Sequence, residues 1–453
     1  MEYDEFIQNK SQWTHGGGFD PGELPECLFP FQEYLVRWAL NKGRSLIATD
    51  CGTGKTIMQL AWADQIVKRK NGRCLLLTPL AVGAQTMSEA AKFGINAVRV
   101  KDGKLPDEST ICITNYEQLH KYNPDDFVAV VGDESSCIKD FKSKTKSTVV
   151  EFMRTIEFRL LCTATAAPND FWELGTSSEA LGLLGFRDMI TKFFKQETAT
   201  DLHGWGRTKY RFRGHAEEPF WAWVCSWARS LQKPSDLGFD DTGFILPPLQ
   251  EVPHIVDCSK PRAGMLFAMP AKDMREERQE RRDTITERCD VAAQIAEDHD
   301  GLTALWGELN DECDRLDKLL PDAVQVKGSM PDDQKEEYLL GFAAGDIKQL
   351  ICKPKIGAWG LNFQKCHNVV EFPSHSFERH YQVVRRCFRF GQTEPVVDHL
   401  VVSEGERKIV DNLHRKKMQV EQMFSGLVRH MNDSMHLATH DNFSEKEVLP
   451  TWL

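Results

Sequence analysis

Short, unbroken apolar runs recur through the first third of the chain: Ser45-Leu46-Ile47-Ala48, Cys74-Leu75-Leu76-Leu77-Thr78, Ile111-Cys112-Ile113-Thr114, Val128-Ala129-Val130-Val131 and Arg159-Leu160-Leu161-Cys162. They are continuous rather than alternating, as expected of strands covered on both faces. Segments of helical length and character separate them, a rhythm that predicts βαβ units on a parallel sheet. Between about Leu181 and Pro248 the rhythm fails, and aromatic and basic residues crowd together. Trp221, Trp223 and Trp227 there are spaced like one face of a helix and read as core. A second rhythm starts at Thr303-Ala304-Leu305-Trp306 and continues through Gln349-Leu350-Ile351-Cys352, Val369-Val370-Glu371-Phe372 and Val396 to Val402. The pattern predicts an α/β fold of two tandem parallel-sheet domains with helical insertions.

Punctuation gives the boundaries. Residues 1–27 are polar and broken by Gly16-Gly17-Gly18 and Pro21-Gly22, which predicts a flexible leader. The first domain is expected over 28–250, with a helical insertion at about 181–248. The second is expected over 251–403, with a charged helical insertion at about 261–298, where mixed charge predicts a solvated helical face. A polar helical tail follows over 404–453.

Composition narrows the class. A chain of 453 residues exceeds one ordinary core, and 41% hydrophobic with 27% charged residues is globular. The net charge of −11 excludes a basic coat but permits a local basic groove. Thirteen cysteines without a Cys-x-x-Cys pair argue against a zinc module or a disulfide framework. The N-terminus has no apolar signal region and no run approaches a membrane span, so a cytoplasmic protein without membrane contact is expected.

The chemistry centres on Thr49-Asp50-Cys51-Gly52-Thr53-Gly54-Lys55-Thr56, which follows an apolar strand and opens a helix-compatible segment. That context suits a phosphate-binding loop. Gly52 and Gly54 let backbone N–H groups turn inward, with Thr53 between them, and the helix N-terminus adds its dipole. Lys55 would reach the outer phosphates and Thr56 would ligate Mg²⁺, making MgATP the expected cofactor. The pattern normally begins with glycine; here that position is Thr49. Asp133-Glu134 ends the run Val130-Val131-Gly132, at the carboxyl edge where ligands of parallel sheets bind. Asp133 is expected to share the metal with Thr56, and Glu134 to deprotonate the attacking water. Arg386 and Arg389 are three apart on a predicted helix of the second domain. They share a face and read as arginine fingers. The run Arg207 to Arg213, with Arg211 inside it, reads equally as a phosphate-contacting or a merely solvated surface.

Further stretches resemble motifs of the superfamily 2 helicases, in the Swi/Snf-like branch of double-stranded DNA translocases, of a compact type similar to those of bacteria and phages. Leu28 to Gln32 resembles the Q motif, which implies adenine recognition by Gln32. Thr78-Pro79-Leu80 and Thr114-Asn115-Tyr116-Glu117 are similar to the motifs that contact DNA, which implies that role for Pro79, Thr114, Asn115 and Tyr116. Thr163-Ala164-Thr165, followed by Pro168-Asn169-Asp170, resembles motif III. It implies that Thr163 and Thr165 link hydrolysis to the DNA face. Lys355 to Phe363 resembles motif V, which brings Gly360 to the nucleotide and Asn362 to nucleic acid. Gln382 to Gln392 resembles motif VI; there Arg385 departs from the pattern and is assigned at most a nucleic-acid contact. Ser136 stands where the family has histidine, Ala166 where proline is frequent, and Lys355 where Ser or Thr is usual.

The resemblance implies two RecA-like domains closing on MgATP, and an ATP-dependent DNA translocase or helicase. Lys55, Asp133, Glu134, Arg386 and Arg389 would be catalytic, and the partner would be duplex DNA gripped without sequence preference. A strand-separating DNA or RNA helicase and an ATP-gated nucleic-acid-binding switch are the alternatives. Intact hydrolytic groups weigh against the switch, and a small-molecule kinase leaves the second domain without a role.

Overall fold

A computed structural model describes residues 17–79, 82–139, 143–164, 170–200, 206–257, 274–357 and 362–440. Thr165 and Gly360 lie outside the described residues, as do the Arg207 side chain and residues 261–273 of the expected charged insertion.

The first rhythm folds into strands β1 (Arg44–Thr49), β2 (Arg73–Thr78), β3 (Ala97–Arg99), β4 (Ile111–Asn115), β5 (Phe127–Gly132) and β6 (Phe158–Thr163). Their continuous apolar sequences are explained by burial: every residue of β6, and all of β1 and β2 after the first, is inaccessible. After a β7–β8 hairpin (Phe194–Thr200, Gly206–Phe212), β9 (Ala228–Leu231) returns to this sheet. Its order is β3-β4-β2-β5-β6-β1-β9, and all its ladders are parallel. The β1 and β5 tips therefore stand two strands apart on one carboxyl edge.

The second rhythm gives β10 (Leu249–Val256), β11 (Thr303–Trp306), β12 (Val324–Val326), β13 (Gln349–Cys352), β14 (Asn368–Glu371) and β15 (Val396–Ser403). They form a second parallel sheet in the order β10-β15-β14-β11-β13-β12. The molecule is thus two RecA-like α/β units in tandem. Among the described residues no helix is long and apolar enough to cross a membrane.

Two regions differ from what periodicity suggests. The stretch over 181–248 is only partly helical, because the hairpin and β9 interrupt it. Phe194 and Phe212 face each other in register, with ring centroids 4.7 Å apart, and pack on Phe220 of the following helix Glu217–Trp227. Aromatic cross-strand pairs favour a hairpin over a helix there. Trp221, Trp223 and Trp227 are buried. In the charged stretch, Arg281 and Arg288 do not form a solvated face. Arg281 Nε lies 2.6 Å from Glu406, and Arg288 Nη1 lies 2.7 Å from Glu312, all four side chains being buried. The mixed-charge pattern there records two things: an interior ion network through Arg281 and Arg288, and a solvated side carrying Arg278, Arg282 and Asp283.

The helix Arg407–His440 starts from the end of β15 yet buries Ile409, Leu413, Val420, Phe424, Leu427 and Met431 in the core of the first unit. These positions recur every three to seven residues, the stripe of an amphipathic helix. The C-terminal segment thereby braces the two units against each other.

Candidate active site

Gly52 and Gly54 take φ of 86° and 82°, a region that glycine enters without strain. A Cβ at Gly52 would stand 2.7 Å from the Phe390 nitrogen, and one at Gly54 would stand 2.3 Å from Gln32 Nε2. Gly52 is therefore required by close approach to backbone as well as by conformation, while at Gly54 the positive φ carries the requirement and the neighbour is the movable end of Gln32. Thr49 takes the pattern's glycine position without harm because it is buried at the β1 tip. Its hydroxyl accepts from Thr53 Oγ1 at 2.8 Å, and Thr53 Oγ1 also reaches the Asp50 carbonyl at 2.8 Å. Lys55 Nζ donates to the carbonyls of Thr49 and Asp50 at 2.9 and 3.1 Å. Thr56 follows, half-buried, at the head of the helix Lys55–Lys70. Gln32 is tied to the loop: Nε2 donates to the Thr53 carbonyl at 2.8 Å, and Oε1 accepts from the Phe29 N–H at 3.0 Å.

The acids stand beyond β5. Asp133 extends the ladder by donating its N–H to the Leu77 carbonyl, and its Oδ1 accepts from Gln59 Nε2 at 2.6 Å. Burial raises its carboxyl above the ordinary range, while Gln59 and Lys55 pull it back. Glu134 has φ 47° and ψ 52°, a left-handed conformation costly for a side-chain-bearing residue. Burial pushes its carboxyl up to about 7, and Asp133 adds to the rise, while Lys55 and Arg386 oppose it. Glu134 Oε2 is a buried acceptor with no hydrogen-bond partner. A strained, buried carboxylate with a free oxygen and a near-neutral pKa is suited to take a proton from water.

The helix Phe377–Cys387, here the arginine helix, presents the second unit to this edge. Arg386 is buried, donates to Gln382 Oε1 at 3.0 Å, and feels the charges of both Asp133 and Glu134. Arg389 lies two residues past the end of that helix at Cys387, so the pair does not share a helix face as expected. It rests instead against the loop, its Cβ 3.4 Å from where a Gly52 Cβ would stand. Burial, with Arg386 next to it, lowers its guanidinium to about 10. Arg389 therefore carries charge at neutral pH beside the phosphate loop, and burial lowers the Arg386 guanidinium from its ordinary value. Arg385 has a different role from the nucleic-acid contact expected of it. Its guanidinium and the Tyr381 hydroxyl both bond the Asp50 carboxylate in the loop. Lys139 and Glu378 form another ion pair across the cleft, and Phe390 packs on Phe244 at 4.9 Å.

The donor set fits a magnesium-bound nucleoside triphosphate. Turned glycines, a lysine held by carbonyls, hard oxygens on Thr56 and Asp133, and an unsatisfied Glu134 oxygen are what such a group requires. Lys55 with the loop N–H groups would hold the phosphates, and Thr56 with Asp133 would hold the metal.

The residues expected on the nucleic-acid face are less uniform. Thr114 and Thr163 are buried strand residues. Asn115 spends its side chain accepting from the Gln118 N–H, and Tyr116 donates to the Asp133 carbonyl at 2.6 Å. Thr163 is enclosed in the sheet and Tyr116 turns its hydroxyl inward, while Thr114 and Asn115 stand at the end of β4, where they line a groove. Pro79 is half-buried at the end of β2, and Asn362 holds a buried carbonyl oxygen without a partner. Arg211 is exposed on the hairpin and pairs with Glu197 at 3.1 Å. Next to Pro79, a groove of about 210 Å³ is lined by Thr78, Arg99, Lys101, Thr114, Asn115 and Gln118, among others.

Sequence reasoning missed Gln59, Asp50, Tyr381, Arg99 and Lys101. Gln59 was within reach of it, since it stands four residues after Lys55 on one helix face. Asp50 and Arg385 are separated by 335 positions, and no local pattern links them.

Residues 28–166 match the helicase-family domain described as "Type III restriction enzyme, res subunit". The SWI/SNF-related matrix-associated actin-dependent regulator of chromatin subfamily A member 1 of Mus musculus is 27% identical over 206 residues, covering 40% of this chain and 18% of that protein. The subfamily A-like protein 1 of Drosophila melanogaster is 26% identical over 197 residues, covering 40% of this chain and 25% of the relative. The chain thus spans a quarter or less of these relatives' length. Among solved structures, a Sulfolobus solfataricus SWI2/SNF2 ATPase core in complex with dsDNA overlays 91% of this chain and 96% of its own, at 18% identity and a TM-score of 0.41. The matched domain, the ordered motifs and the sequence relatives agree in one likeness: the chain is similar to superfamily 2 helicase-type ATPases of the Swi/Snf-like branch.

Proposed function

We propose that this chain is an ATP-dependent DNA translocase that tracks duplex DNA with little regard to sequence. Its likeness to helicase-type and SWI/SNF-related proteins supports ATP hydrolysis coupled to motion on nucleic acid; the duplex, the step and the absence of strand separation are the further content of the proposal. One observation supports it above the others. Arg386, buried, and Arg389, half-buried, come from the second unit to stand beside Gly52, Asp133 and Glu134 of the first, so one site depends on both units.

Bound MgATP supplies the phosphoryl group that is transferred. Lys55 and the turned loop orient the phosphates, and Glu134 accepts the proton of the attacking water. Arg386 and Arg389 stabilise the charge that develops on the phosphoryl oxygens. Because the arginines belong to a separate unit, loss of that charge weakens the grip between units. Hydrolysis is thereby coupled to their relative movement. The groove with Arg99 and Lys101 offers fixed positive charge for a phosphate backbone, and Arg211 on the hairpin offers more. Free cysteines throughout the described residues accord with a reducing, cytoplasmic setting.

The test is ATPase activity measured in parallel with duplex DNA, single-stranded DNA and RNA at low salt, together with displacement of a third strand from a triplex. Stimulation greatest with duplex and triplex displacement without duplex unwinding are expected. Strand separation would give the true helicase reading instead. An ATPase indifferent to all three nucleic acids would overturn the motor.

A further inference from the structure

Behind the arginine helix lies a group of ionisable side chains that hydrolysis does not use. Glu251 and Asp398 are register partners on β10 and β15. Val369, two residues before Glu371, is the register partner of Asp398 on β14. The two-residue period of strands therefore puts all three acids on one face of the second sheet. His380 descends onto that face from the arginine helix. Its Nδ1 is 2.6 Å from Glu371 Oε1 and 3.7 Å from Asp398 Oδ2, and its Nε2 is 3.6 Å from Glu251 Oε1. Glu371, His380 and Asp398 are all buried, and one donor atom from each falls within 4.8 Å of the others. Asp398 is wholly inaccessible, and neither of its oxygens has a hydrogen-bond partner.

The charge does not balance. Three carboxylates face Lys417, which bonds Glu251 at 2.9 Å, and His380. Even with the imidazole protonated, one negative charge is left over in the interior, a cost of several kcal/mol if uncompensated. His414 reaches Glu251 only at 3.8 Å, from a half-exposed position outside the cluster. A divalent cation with a neutral imidazole brings the total to zero. It also turns Asp398 from an orphan into a ligand.

We propose that Glu371, His380 and Asp398 bind one first-row divalent transition-metal ion, Zn²⁺ or Mn²⁺, that pins the arginine helix to the second sheet. One imidazole nitrogen with two carboxylates suits these ions, whereas Mg²⁺ and Ca²⁺ favour all-oxygen sets, and no thiolate is present to select a softer metal. Metal bonds of about 2.0–2.2 Å place donor atoms roughly 3–3.5 Å apart, so the observed separations close on an ion with small side-chain adjustments. With Nδ1 on the metal, Nε2 faces Glu251, which Lys417 holds. That is the carboxylate-to-histidine arrangement that fixes ring orientation in metal sites. Glu251 is the part-exposed member, on the side of the helix Arg407–His440, and gives the ion its way in. The ion would set the angle of the helix carrying Arg385 and Arg386, with Arg389 just past its end, without touching the nucleotide.

The full chain, stripped with a chelator, is incubated with ZnCl₂ or MnCl₂ in the absence of nucleotide, desalted, and its metal content measured by mass spectrometry alongside its melting temperature. One retained ion per chain and a raised melting temperature are expected. Asp398→Asn and His380→Gln should each weaken retention at least about 100-fold and abolish the thermal shift, while Asp133→Asn retains the ion, separating this site from the nucleotide's. Should Asp398→Asn not fold, Glu371→Gln takes its place. No retained ion and no shift in the wild type would overturn the proposal and leave a proton on Asp398 as the compensating charge. Retention indifferent to the Asp398, Glu371 and His380 substitutions would overturn it equally.

Discussion

The two halves of the cleft are built on different principles. The first half is local: β1, the loop and the helix Lys55–Lys70 are consecutive, and Gly52, Gly54, Thr49 and Lys55 satisfy one another within seven residues. The second half is a helix and the turn after it, whose value depends on where they are docked. On the proposed reading, Arg386 and Arg389 act only while Asp50, Lys139 and the Phe29, Phe244 and Phe390 rings hold that segment against the loop. A phosphate cradle can bind by itself, but a hydrolytic site that drives motion needs a removable part.

The sharpest way to break this comparison is to delete the removable part. Arg386→Ala should lower ATPase kcat by about 10³–10⁵-fold, the usual worth of an arginine finger. Fluorescent nucleotide binding should remain within a few fold. Loss of both together would show that the halves are not separable. Glu134→Gln attacks the local half and should reduce kcat by about 10²–10⁴-fold, again with nucleotide retained. This variant also reports on burial. The folded carboxyl, at about 7, lies above its ordinary 4.5, so ionising Glu134 disfavours the fold as pH rises across that interval. Calorimetry on the alkaline side should therefore find Glu134→Gln melting above the wild type.

Docking itself is tested at Arg385. Removing it strands the Asp50 carboxylate, only 6% exposed, with Tyr381 as its remaining partner across the cleft. A truncated buried pair costs about 3 kcal/mol or more, to be read from denaturant unfolding of Arg385→Ala. Asp50→Asn in the same chain should recover part of that loss, and a double-mutant cycle with no coupling would mean that the pair does not hold the helix.

A smaller effect comes from pH. The active form of Glu134 is the carboxylate, and the acid form prevails below about 7. The wild-type rate should fall roughly tenfold per unit as pH drops below that point. Glu134→Gln should lose this acid limb while keeping its residual rate, and a limb unchanged in that variant would assign the titration elsewhere.

The difference between the halves also explains what could be read from the chain. Continuous apolar strands and the Gly-x-Gly-Lys-Thr turn are local facts, and local facts survive without coordinates. The helix carrying Arg386 stops at Cys387, before Arg389, so the shared face read from their spacing does not form. Arg281 and Arg288 look like surface in sequence, because a charged residue's partners, Glu312 and Glu406, are invisible until the helices pack. The same holds for Tyr116, whose hydroxyl turns inward to the Asp133 carbonyl, a bond no local pattern shows. The β7–β8 hairpin was hidden in a segment whose basic and aromatic composition masked its pairing.

The weakest expected effect probes the face that the cleft is meant to move. Arg99 and Lys101 line the groove at the ends of β2, β3 and β4, and both are exposed. Each phosphate contact contributes a slope of about −0.9 in log affinity against log salt on duplex DNA. If both side chains grip the backbone, the Arg99→Ala, Lys101→Ala double variant should lose about two units of slope. Affinity should fall by a similar factor on unrelated sequences, because phosphate contacts position without specifying. Basal ATPase without DNA should stay unchanged, since neither residue approaches Lys55 or Glu134. An unaltered slope would remove this groove from the DNA path. If Arg211→Ala then lowered the slope instead, the path would run over the hairpin, and the grip would belong to the inserted segment rather than to the sheet edge that carries the nucleotide.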